Sequence, residues 1–417
     1  MTKNKKILIV TECFYPEEFK INDVALSWKN KGYDIDVLTL VPTYPLGKVF
    51  PGYKNNFFRK YEYQGINIFR LRAVTGYRDS AIKKILKYIN FMVFGSITAI
   101  FIGRRYDYVF GFNLGSLTDM LPAVVIRKLY KKPTTLWVQD VWPDSVYAYG
   151  FKKTKSLSFV LNKFVNFIFH NVDRIAISSR GFESKLESYA EKGLKFVYAP
   201  NWADDLDMDM DMDMDMDMDM DMNMNSIALS TNQKVHFTFA GNIGKVQNLE
   251  NIINAFCLLP GGYQKKSQLN IIGDGSNLIF LKKLSNNSPN IIFHGKQKRE
   301  DMAKFYKASD FLIVSLIDKP IFSVTVPAKT QTYIAARRLI VDIINGDVAD
   351  IVNDNNLGTS VDPSNVVLIK ESFEKCMDMP ENEKSEFTIN NTKLLETTFN
   401  KDNIINRMTS QLIDCND

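Results

Sequence analysis

The chain has 417 residues, 45% of them hydrophobic, which is enough to bury the cores of two or three domains. Its formal net charge is +5, but ten of the 47 acidic residues lie between Asp204 and Asp221, so the remainder is more strongly basic. A net positive charge on the rest of the protein suits polyphosphate ligands or an anionic membrane surface, but it is equally ordinary for a soluble enzyme. No nucleic-acid partner is expected.

Cysteine and histidine usage argues against a disulfide framework or a local metal site. The four cysteines have no Cys-x-x-Cys spacing, and the three histidines are far apart. The segment "MTKNKKILIV" lacks the architecture of a signal peptide. We therefore expect a cytoplasmic protein without a dedicated zinc site.

The first half of the chain alternates buried-strand runs with helical spacing. The run "KKILIVTE" predicts a strand, "INDVALSWKNKGY" a helix and "DIDVLTLV" a second strand. Further strands are predicted at "GINIFRLRA", "YDYVFGFN", "TTLWVQD", "DRIAISS" and "FVYAPNWAD". This alternation is typical of a doubly wound parallel sheet.

The longest apolar run, from Ile89 to Gly103, lies between "KKILK" and two arginines. It is shorter than the roughly 20 apolar residues that span a bilayer. Two interpretations remain open: a helix buried on a sheet, or a helix whose basic and apolar surfaces enter the inner leaflet. We expect burial for most of the run, with membrane contact at its basic end.

Residues 204–225 alternate aspartate with methionine and repeat the Asp-x-Asp spacing by which many sugar-transferring enzymes hold a metal. As a strand, the tract would place like charges ~7 Å apart, repelling by ~0.6 kcal/mol per pair in water. As a helix, it would form no apolar stripe. Since no aspartate pair is distinguished from the next, we expect a disordered insertion over residues 201–230, with weak calcium or copper binding left open.

The strand pattern restarts at "KVHFTFAGNIG" and continues through "SQLNIIGDGS", "PNIIFHG", "DFLIVSL" and "RLIVDII". The chain therefore predicts an amino-terminal α/β domain over residues 1–200 and a second over residues 231–395. A final helix, residues 396–417, could pack on either domain.

Two glycine loops follow strands of the second domain. Gly241 and Gly244 lie in "GNIGKVQN", and Gly273 and Gly275 lie in "GDGS". The helix after each loop would present free backbone amides, which attract phosphate. Plain tight turns are the alternative interpretation.

The segment "PIFSVTVPAKTQTYIAA" has small and β-branched residues, Phe322 to Thr325, whose amides could face a ligand. Lys329 falls in the first turn of the following helix, where the helix dipole disfavours a cation. A bound anion between them would remove this conflict. A solvated surface lysine is the alternative.

In the first domain, "LWVQDVWPDSVYAYG" ends a strand with Asp140 and is rich in aromatic residues. Carboxyl ends of parallel strands are where open α/β sheets bind ligands. We expect Trp137 to lie in the core and Trp142 to be available to stack on a sugar ring.

The sequence resembles the retaining family-4 glycosyltransferases. The resemblance rests on the second-domain segments "GNIGKVQNLENIINAF", "IIGDGS", "IIFHGKQKREDMAKFYKASDFLIVSL" and "FSVTVPAKTQTYIAARRLIV". With "LWVQDVWPDS" and "LVPTYPLGKVFPGY", the chain is similar to the branch that includes the fucosamine transferase WbuB of bacterial surface polysaccharides.

This resemblance implies the glycosyltransferase B fold, with two facing Rossmann-like domains. It implies a metal-independent transfer from a UDP- or GDP-linked sugar, with an N-acetylated deoxyamino sugar as one candidate. The acceptor would be a polyprenyl-diphosphate-linked glycan at the inner face of the membrane, in capsule or O-antigen synthesis, with peripheral membrane contact.

The resemblance also implies roles for individual residues. Asp140 would face the reacting carbon and Lys329 the diphosphate, while Tyr15 and Trp142 would contact the acceptor. The remaining donor contacts would be Gly241, Asn242, Gly244, Gln247, Gly273, Gly275, His294, Lys296, Phe322, Ser323, Val324, Thr325 and Gln331.

Some positions depart from the broad family. Asn242 and Gln247 stand where an arginine and a lysine are usual, and uncharged residues near Val324 and Thr332 replace two glutamates. Gln331 could bond a ribose hydroxyl instead. Arg337 stands where glycine is common and is strained if its backbone needs φ > 0. A non-hydrolysing sugar-nucleotide epimerase and a non-catalytic binding partner are the alternative functions.

Overall fold

The structure is a computed structural model that describes residues 5–77, 80–148, 150–203 and 234–413. The predicted Asp–Met insertion lies outside these ranges. Two compact units are present: one contains the described residues up to Pro200 and those from Ile404 onward, and the other runs from Asn201 to Asn403.

The first unit is built on an eight-stranded sheet. Its strands are β1 (Lys6–Thr11), β2 (Asp34–Leu40), β3 (Phe58–Tyr63), β4 (Ile66–Leu71), β5 (Tyr108–Asn113), β6 (Thr134–Val138), β7 (Arg174–Ile177) and β8 (Lys195–Tyr198). The spatial order is β3-β4-β2-β1-β5-β6-β7-β8, and β3 alone is antiparallel to its neighbour. The central strands are buried over nearly their whole length, as a parallel sheet covered on both faces requires.

Helices cover this sheet. They are α1 (Lys20–Asn30), α2 (Ala81–Asn90), α3 (Ser96–Ile102), α4 (Leu121–Tyr130), α5 (Asp144–Ala148), α6 (Lys155–Phe169) and α7 (Phe182–Leu186). A π-helical turn, Phe91–Gly95, joins α2 to α3, and a 3₁₀ turn, Gly103–Arg105, continues the run. The carboxyl-terminal residues from Ile404 also pack here, since Trp28 Nε1 donates to Thr409 Oγ1 at 2.9 Å.

The apolar run of α2 and α3 is longer and more exposed than its sequence suggested. The helical segment spans Ile82–Arg105, 24 residues of mean hydropathy 1.8, and only 17% of its most apolar window is buried. By length and composition it could cross a membrane, and it is the one such helix among the described residues. The expectation of burial for most of this run was therefore wrong.

The second unit contains a six-stranded, fully parallel sheet. Its strands are β9 (Val235–Ala240), β10 (Ser267–Ile272), β11 (Ile291–Gly295), β12 (Phe311–Ser315), β13 (Leu339–Ile343) and β14 (Gly358–Ser360). Their order is β11-β10-β9-β12-β13-β14. Phe237, Phe256 and Phe373 pack edge to face at the centre of its core.

The helices of this unit alternate with its strands. They are α8 (Leu249–Cys257), α9 (Gly261–Lys265), α10 (Leu278–Leu284), α11 (Arg299–Lys307), α12 (Ala328–Ala335), α13 (Asp347–Asp354), α14 (Val366–Met377) and α15 (Glu381–Thr397). The next helix, α16 (Lys401–Met408), contains the boundary between the units and belongs mostly to the first. A 3₁₀ turn, Lys245–Gln247, precedes α8. Both units therefore contain a mainly parallel sheet layered with helices.

Candidate active site

The two predicted glycine loops of the second unit lie against each other. Gly273 adopts φ +136, and a Cβ atom there would come within 1.9 Å of the Gly241 carbonyl oxygen. The amide of Ile243 donates to the Asp274 carbonyl oxygen at 2.9 Å, which ties the loops together. Glycine is required by this backbone approach, so the loops form one rigid edge at the carboxyl ends of β9 and β10. That edge also holds the predicted Asn242, Gly244 and Gly275.

Lys329 reaches this edge from α12. Its Nζ donates to Gln247 Oε1 at 2.8 Å and lies 3.8 Å from the centroid of the Phe239 ring. The same atom is 3.3 Å from the position that a Cβ would take at Gly241. The structure thus brings together Lys329, Gln247 and Gly241, which the sequence placed in one site.

The Lys329 ammonium lacks a counter-charge among the described residues. Burial lowers the pKa of Lys329 to about 7, and no neighbouring carboxylate offsets this effect. The Phe239 ring and the Gln247 amide stabilise the charge only in part. An anion bound here would restore the ordinary pKa and remove the cost of burying the charge.

Two helix amino termini add positive potential in the same unit. The cap residues of α8 and α12, Asn248 and Pro327, make no side-chain capping hydrogen bond. The Asn248 side chain instead donates to the Pro363 carbonyl oxygen at 2.8 Å. First-turn amides without a capping side chain attract anions such as phosphate.

The loop of Phe322 to Thr325 is more internally bonded than its sequence suggested. The amides of Phe322 and Ser323 donate to the Lys319 carbonyl oxygen, and that of Thr325 donates to the carbonyl oxygen of Phe322. A ligand would therefore have to compete for three of the four amides. Donor contact by this loop, including Val324, stays a prediction.

Gln331 is 1% exposed and turned toward its own helix. With the side-chain amide turned so that both its oxygen and its nitrogen have suitable partners, the nitrogen donates to the carbonyl oxygens of Pro327 and Ala328, each at 3.1 Å. A ribose hydroxyl could bond this side chain only after those contacts are exchanged. The predicted ribose contact is untested.

At the end of β11, His294 is half-buried and Lys296 is exposed. His294 Nε2 bonds Asn270 Oδ1 at 3.0 Å, and the ring packs edge to face on Phe305. Burial, with a smaller effect from His236, lowers the pKa of His294. A neutral imidazole is compatible with the predicted place near the nucleotide base.

In the first unit, Asp140 follows β6 directly, as predicted. Burial raises the pKa of Asp140 to about 7, an effect that the nearby Ser145 hydroxyl and Val141 amide oppose only in part. Trp142 is half-buried nearby, whereas Trp137 is fully buried and donates to the Ala199 carbonyl oxygen. Tyr15 is 37% exposed and stacks on Tyr63 with ring centroids 3.6 Å apart.

Sequence reasoning missed a group of buried charges at the same end of this sheet. Lys87 of α2 pairs with Glu12, which follows β1, with Nζ and Oε1 2.6 Å apart. Burial and the nearby Glu12 raise the pKa of Asp119, and Glu12 raises the pKa of Lys87 against the opposing effect of burial. Glu12 carried the same signal as Asp140, a carboxylate at a strand end, but nothing local in the sequence marks Lys87 or Asp119.

Asp140 shares the electrostatic neighbourhood of this group. Burial and Glu12 raise the pKa of Tyr88 to about 12, with smaller contributions from Asp119 and Asp140. Within the described residues, no three His, Cys, Asp or Glu side chains are grouped so as to hold a metal ion.

Comparison with known proteins matches residues 224–394 to the family "Glycosyl transferases group 1". WbjE of Pseudomonas aeruginosa, named as a probable glycosyltransferase, is 23% identical over 66% of this chain and 67% of its own. WcaI of Escherichia coli (strain K12), named as a colanic acid biosynthesis glycosyl transferase, is 24% identical over 54% of each chain.

Among solved structures, "Trehalose-6-phosphate from E. coli bound with UDP-2-fluoro glucose" superposes with a TM-score of 0.71, covering 98% of this chain and 99% of that one. At 9% identity this likeness concerns the fold, and it confirms the predicted glycosyltransferase B fold. The family match and the relatives support glycosyltransferase function in polysaccharide biosynthesis. The chain is a glycosyltransferase, with a glycosyl transferases group 1 region over residues 224–394.

Proposed function

We propose that this enzyme moves a sugar from a UDP- or GDP-linked donor to a polyprenyl-diphosphate-linked glycan, with retention of anomeric configuration and without a metal. The sugar is of the N-acetylated deoxyamino class, and the product is a capsule or O-antigen repeat. The enzyme works in the cytoplasm at the inner face of the membrane, as a member of the WbuB-like branch of family 4.

The observation that carries this proposal is the environment of Lys329. Its ammonium has an amide and an aromatic ring for neighbours, and its pKa is lowered to about 7. The uncapped amino terminus of α12 lies one residue away in sequence. A diphosphate supplies the negative charge that both groups lack.

In this reaction the bond between the anomeric carbon and the diphosphate breaks, and negative charge grows on the leaving group. The acceptor hydroxyl oxygen bonds the same carbon, and its proton passes to the departing diphosphate. Protonated Lys329 and the helix amides stabilise that charge, which is the task a metal performs in other transferases. Asp140, as a carboxylate, either positions the acceptor or supports positive charge on the sugar. Both roles require its ionised form.

The direct test incubates the purified enzyme with a panel of UDP- and GDP-sugars and a bacterial membrane extract. We expect label from one donor in the lipid fraction, undiminished by EDTA. NMR of the product should show the anomeric configuration of the donor.

Three outcomes would contradict parts of the proposal. Loss of transfer in EDTA with recovery in Mg²⁺ or Mn²⁺ would contradict the metal-independent route. An inverted product would contradict retention. A new nucleotide sugar formed without the extract would point to epimerase chemistry.

A further inference from the structure

Two arginines of the first unit, Arg180 and Arg407, lie against one tyrosine ring and are called the arginine pair below. The ring is that of Tyr198, the last residue of β8, while Arg180 follows β7 and Arg407 belongs to α16. Arg180 Cζ lies 4.3 Å from the ring centroid, and Arg407 Cζ lies 5.8 Å from it. A cation–π contact stabilises a guanidinium but does not neutralise it. The fold thus brings two like charges to one ring.

The charges of the arginine pair are not compensated within the described part of the chain. Neither arginine forms an ion pair there, and Arg407 Nε is buried without a hydrogen-bond partner. Burial lowers the pKa of Arg407, Tyr198 opposes this effect, and the charge of Arg180 adds to it. Arg127 of the same unit, in contrast, pairs with Asp173, with Nη2 and Oδ1 2.7 Å apart. Buried guanidinium donors without an acceptor are costly, so this arrangement favours a bound anion.

The arginine pair lies at the edge of the sheet where open α/β folds bind ligands. Strands β7 and β8 are parallel neighbours, so their carboxyl ends share that edge. Three strands, β5, β6 and β7, separate β8 from β1, whose end carries the compensated pair of Glu12 and Lys87. The arginine pair is therefore a separate part of the edge, and it is also separate from Lys329, which belongs to the second unit.

Charge and shape restrict the ligand of this site. Two guanidinium groups stay positively charged at any physiological pH, and a terminal phosphate carries roughly −1.5 to −2 at pH 7. The planar guanidinium fork also matches the spacing of phosphate oxygens and bonds two of them at once. Arg180 is exposed and Arg407 is half-buried, so a ligand can enter past the first and reach the second.

We propose that the arginine pair, supported by the Tyr198 ring, is a second binding site for a phosphate or diphosphate group, distinct from the site at Lys329. Such a group has two sources. One is the diphosphate of the lipid-linked acceptor, and this source rests on the proposed function. The other is a free phosphorylated compound, which does not require that function.

The test of the site is a calorimetric titration of the full chain with inorganic pyrophosphate. We expect two binding sites. Lys329→Ala should weaken one, and the double variant Arg180→Gln, Arg407→Gln should lower the affinity of the other roughly tenfold or more, because charge-assisted hydrogen bonds are lost. The matched control, Arg59→Gln, removes an exposed arginine that lies 5.4 Å from the Tyr61 ring centroid in the same unit, and it should keep both sites.

Steady-state kinetics with the lipid acceptor identifies the source of the phosphate group. If the acceptor diphosphate occupies the site, the double variant raises the KM for the acceptor and leaves donor affinity unchanged. If a free phosphorylated compound occupies it, the acceptor KM stays that of the parent, and added inorganic phosphate changes the rate of the parent but not that of the variant. Arg180→Lys, which keeps the charge without the fork, should recover part of the loss in both cases.

Two results would overturn the inference: a parent-like pyrophosphate titration in the double variant, or an equal loss in Arg59→Gln. Arg180→Gln alone repeats the titration at an exposed side chain, so a folding defect caused by changing Arg407 does not decide the outcome. The proposed function fails separately. Pyrophosphate binding at the arginine pair without sugar transfer from any donor would contradict the function alone, and sugar transfer with a parent-like titration of the double variant would contradict the second site alone.

Discussion

The carboxyl ends of the two sheets are electrostatic opposites. In the second unit, Lys329 is a half-buried cation with no carboxylate partner among the described residues, and helix termini add to its field. In the first unit, Glu12 at the end of β1 already pairs with a buried lysine, Lys87, and burial together with Glu12 raises the pKa of the nearby Asp119.

This difference separates the tasks of the two units. A site that lacks a counter-ion is completed by its ligand, so it selects a strongly anionic one. A site whose charges are already paired gains little from a charged ligand, but its buried polar groups can orient hydroxyl groups. Under the proposed function, the first site would receive the nucleotide diphosphate and the second a hydroxyl of the glycan acceptor.

The largest expected effect tests the carboxylate side of this contrast. Asp140→Asn should reduce turnover ~10²–10⁴-fold, because the amide cannot replace the ionised carboxylate. Donor affinity, measured by calorimetry, should stay within about twofold of the parent, since the proposed roles of Asp140 act in the transition state and not on the bound nucleotide. The control Asp144→Asn, four residues further along, should retain turnover. If donor affinity and turnover fell by the same factor, Asp140 would act in donor binding, and the assigned division between the two units would be wrong.

The pH dependence of turnover sharpens the contrast between the units. The pKa of Asp140 is raised to about 7 and that of Lys329 is lowered to about 7. Since Asp140 acts ionised and Lys329 protonated, kcat/KM should rise to pH 7 and fall above it. Asp140→Asn should remove the acidic limb only. Donor binding raises the Lys329 pKa, so the basic limb of kcat should lie at higher pH.

The internal pairing of the first unit is tested by Lys87→Met. Removing one partner of a buried pair should cost about 3–5 kcal/mol of unfolding free energy, because the carboxylates are left uncompensated. Tryptophan fluorescence during urea unfolding reports this unit mainly, since three of the four tryptophans, Trp28, Trp137 and Trp142, belong to it. Lys84→Met, an exposed lysine of the same helix, should change stability little. If Glu12→Gln combined with Lys87→Met restores none of the loss, the pair is not the cause.

For the donor side, Lys329→Ala should reduce turnover ~10²–10³-fold. Affinity for the free nucleoside diphosphate should fall as well. In the parent this affinity should decrease above pH 7, whereas in the variant it should not, because the titrating ammonium is gone. The exposed Lys283→Ala serves as the control for loss of one positive charge. A parent-like pH dependence of binding in Lys329→Ala would assign the titrating group to another residue.

The smallest effect concerns the backbone that ends α12. Arg337 adopts φ 53, the left-handed conformation in which its side chain is strained. Arg337→Gly should raise the free energy of unfolding by up to ~1 kcal/mol, less the entropy that glycine adds to the unfolded chain. Arg337→Ala keeps the strain and should give no gain in melting temperature.

Much of the second unit could be predicted from sequence because its signals are local. A strand followed at once by glycine predicts a turn, and two such turns after neighbouring parallel strands must meet. Lys329 in the first turn of a helix stood out because the helix dipole disfavours it there. These rules singled out Gly241 and Lys329 as phosphate-binding candidates, and the family resemblance added Gln247 to the same site.

The rest depended on contacts between distant residues. The group of Glu12, Lys87 and Asp119 joins three separate elements, and no spacing in the sequence connects them. The run Ile89–Gly103 was expected to be mostly buried, because composition shows how apolar a helix is but not which of its sides packs against the protein. The amides of the Phe322 loop appeared available because a sequence does not reveal bonds within a loop.

Lys87 belongs to the helix whose outer side is apolar, while its ammonium neutralises a carboxylate at the end of β1. A rotation of that helix about its own axis would withdraw the ammonium from Glu12 and leave a net negative charge near Asp140. The same helix therefore has an apolar outer side and, on its inner side, the cation that neutralises Glu12.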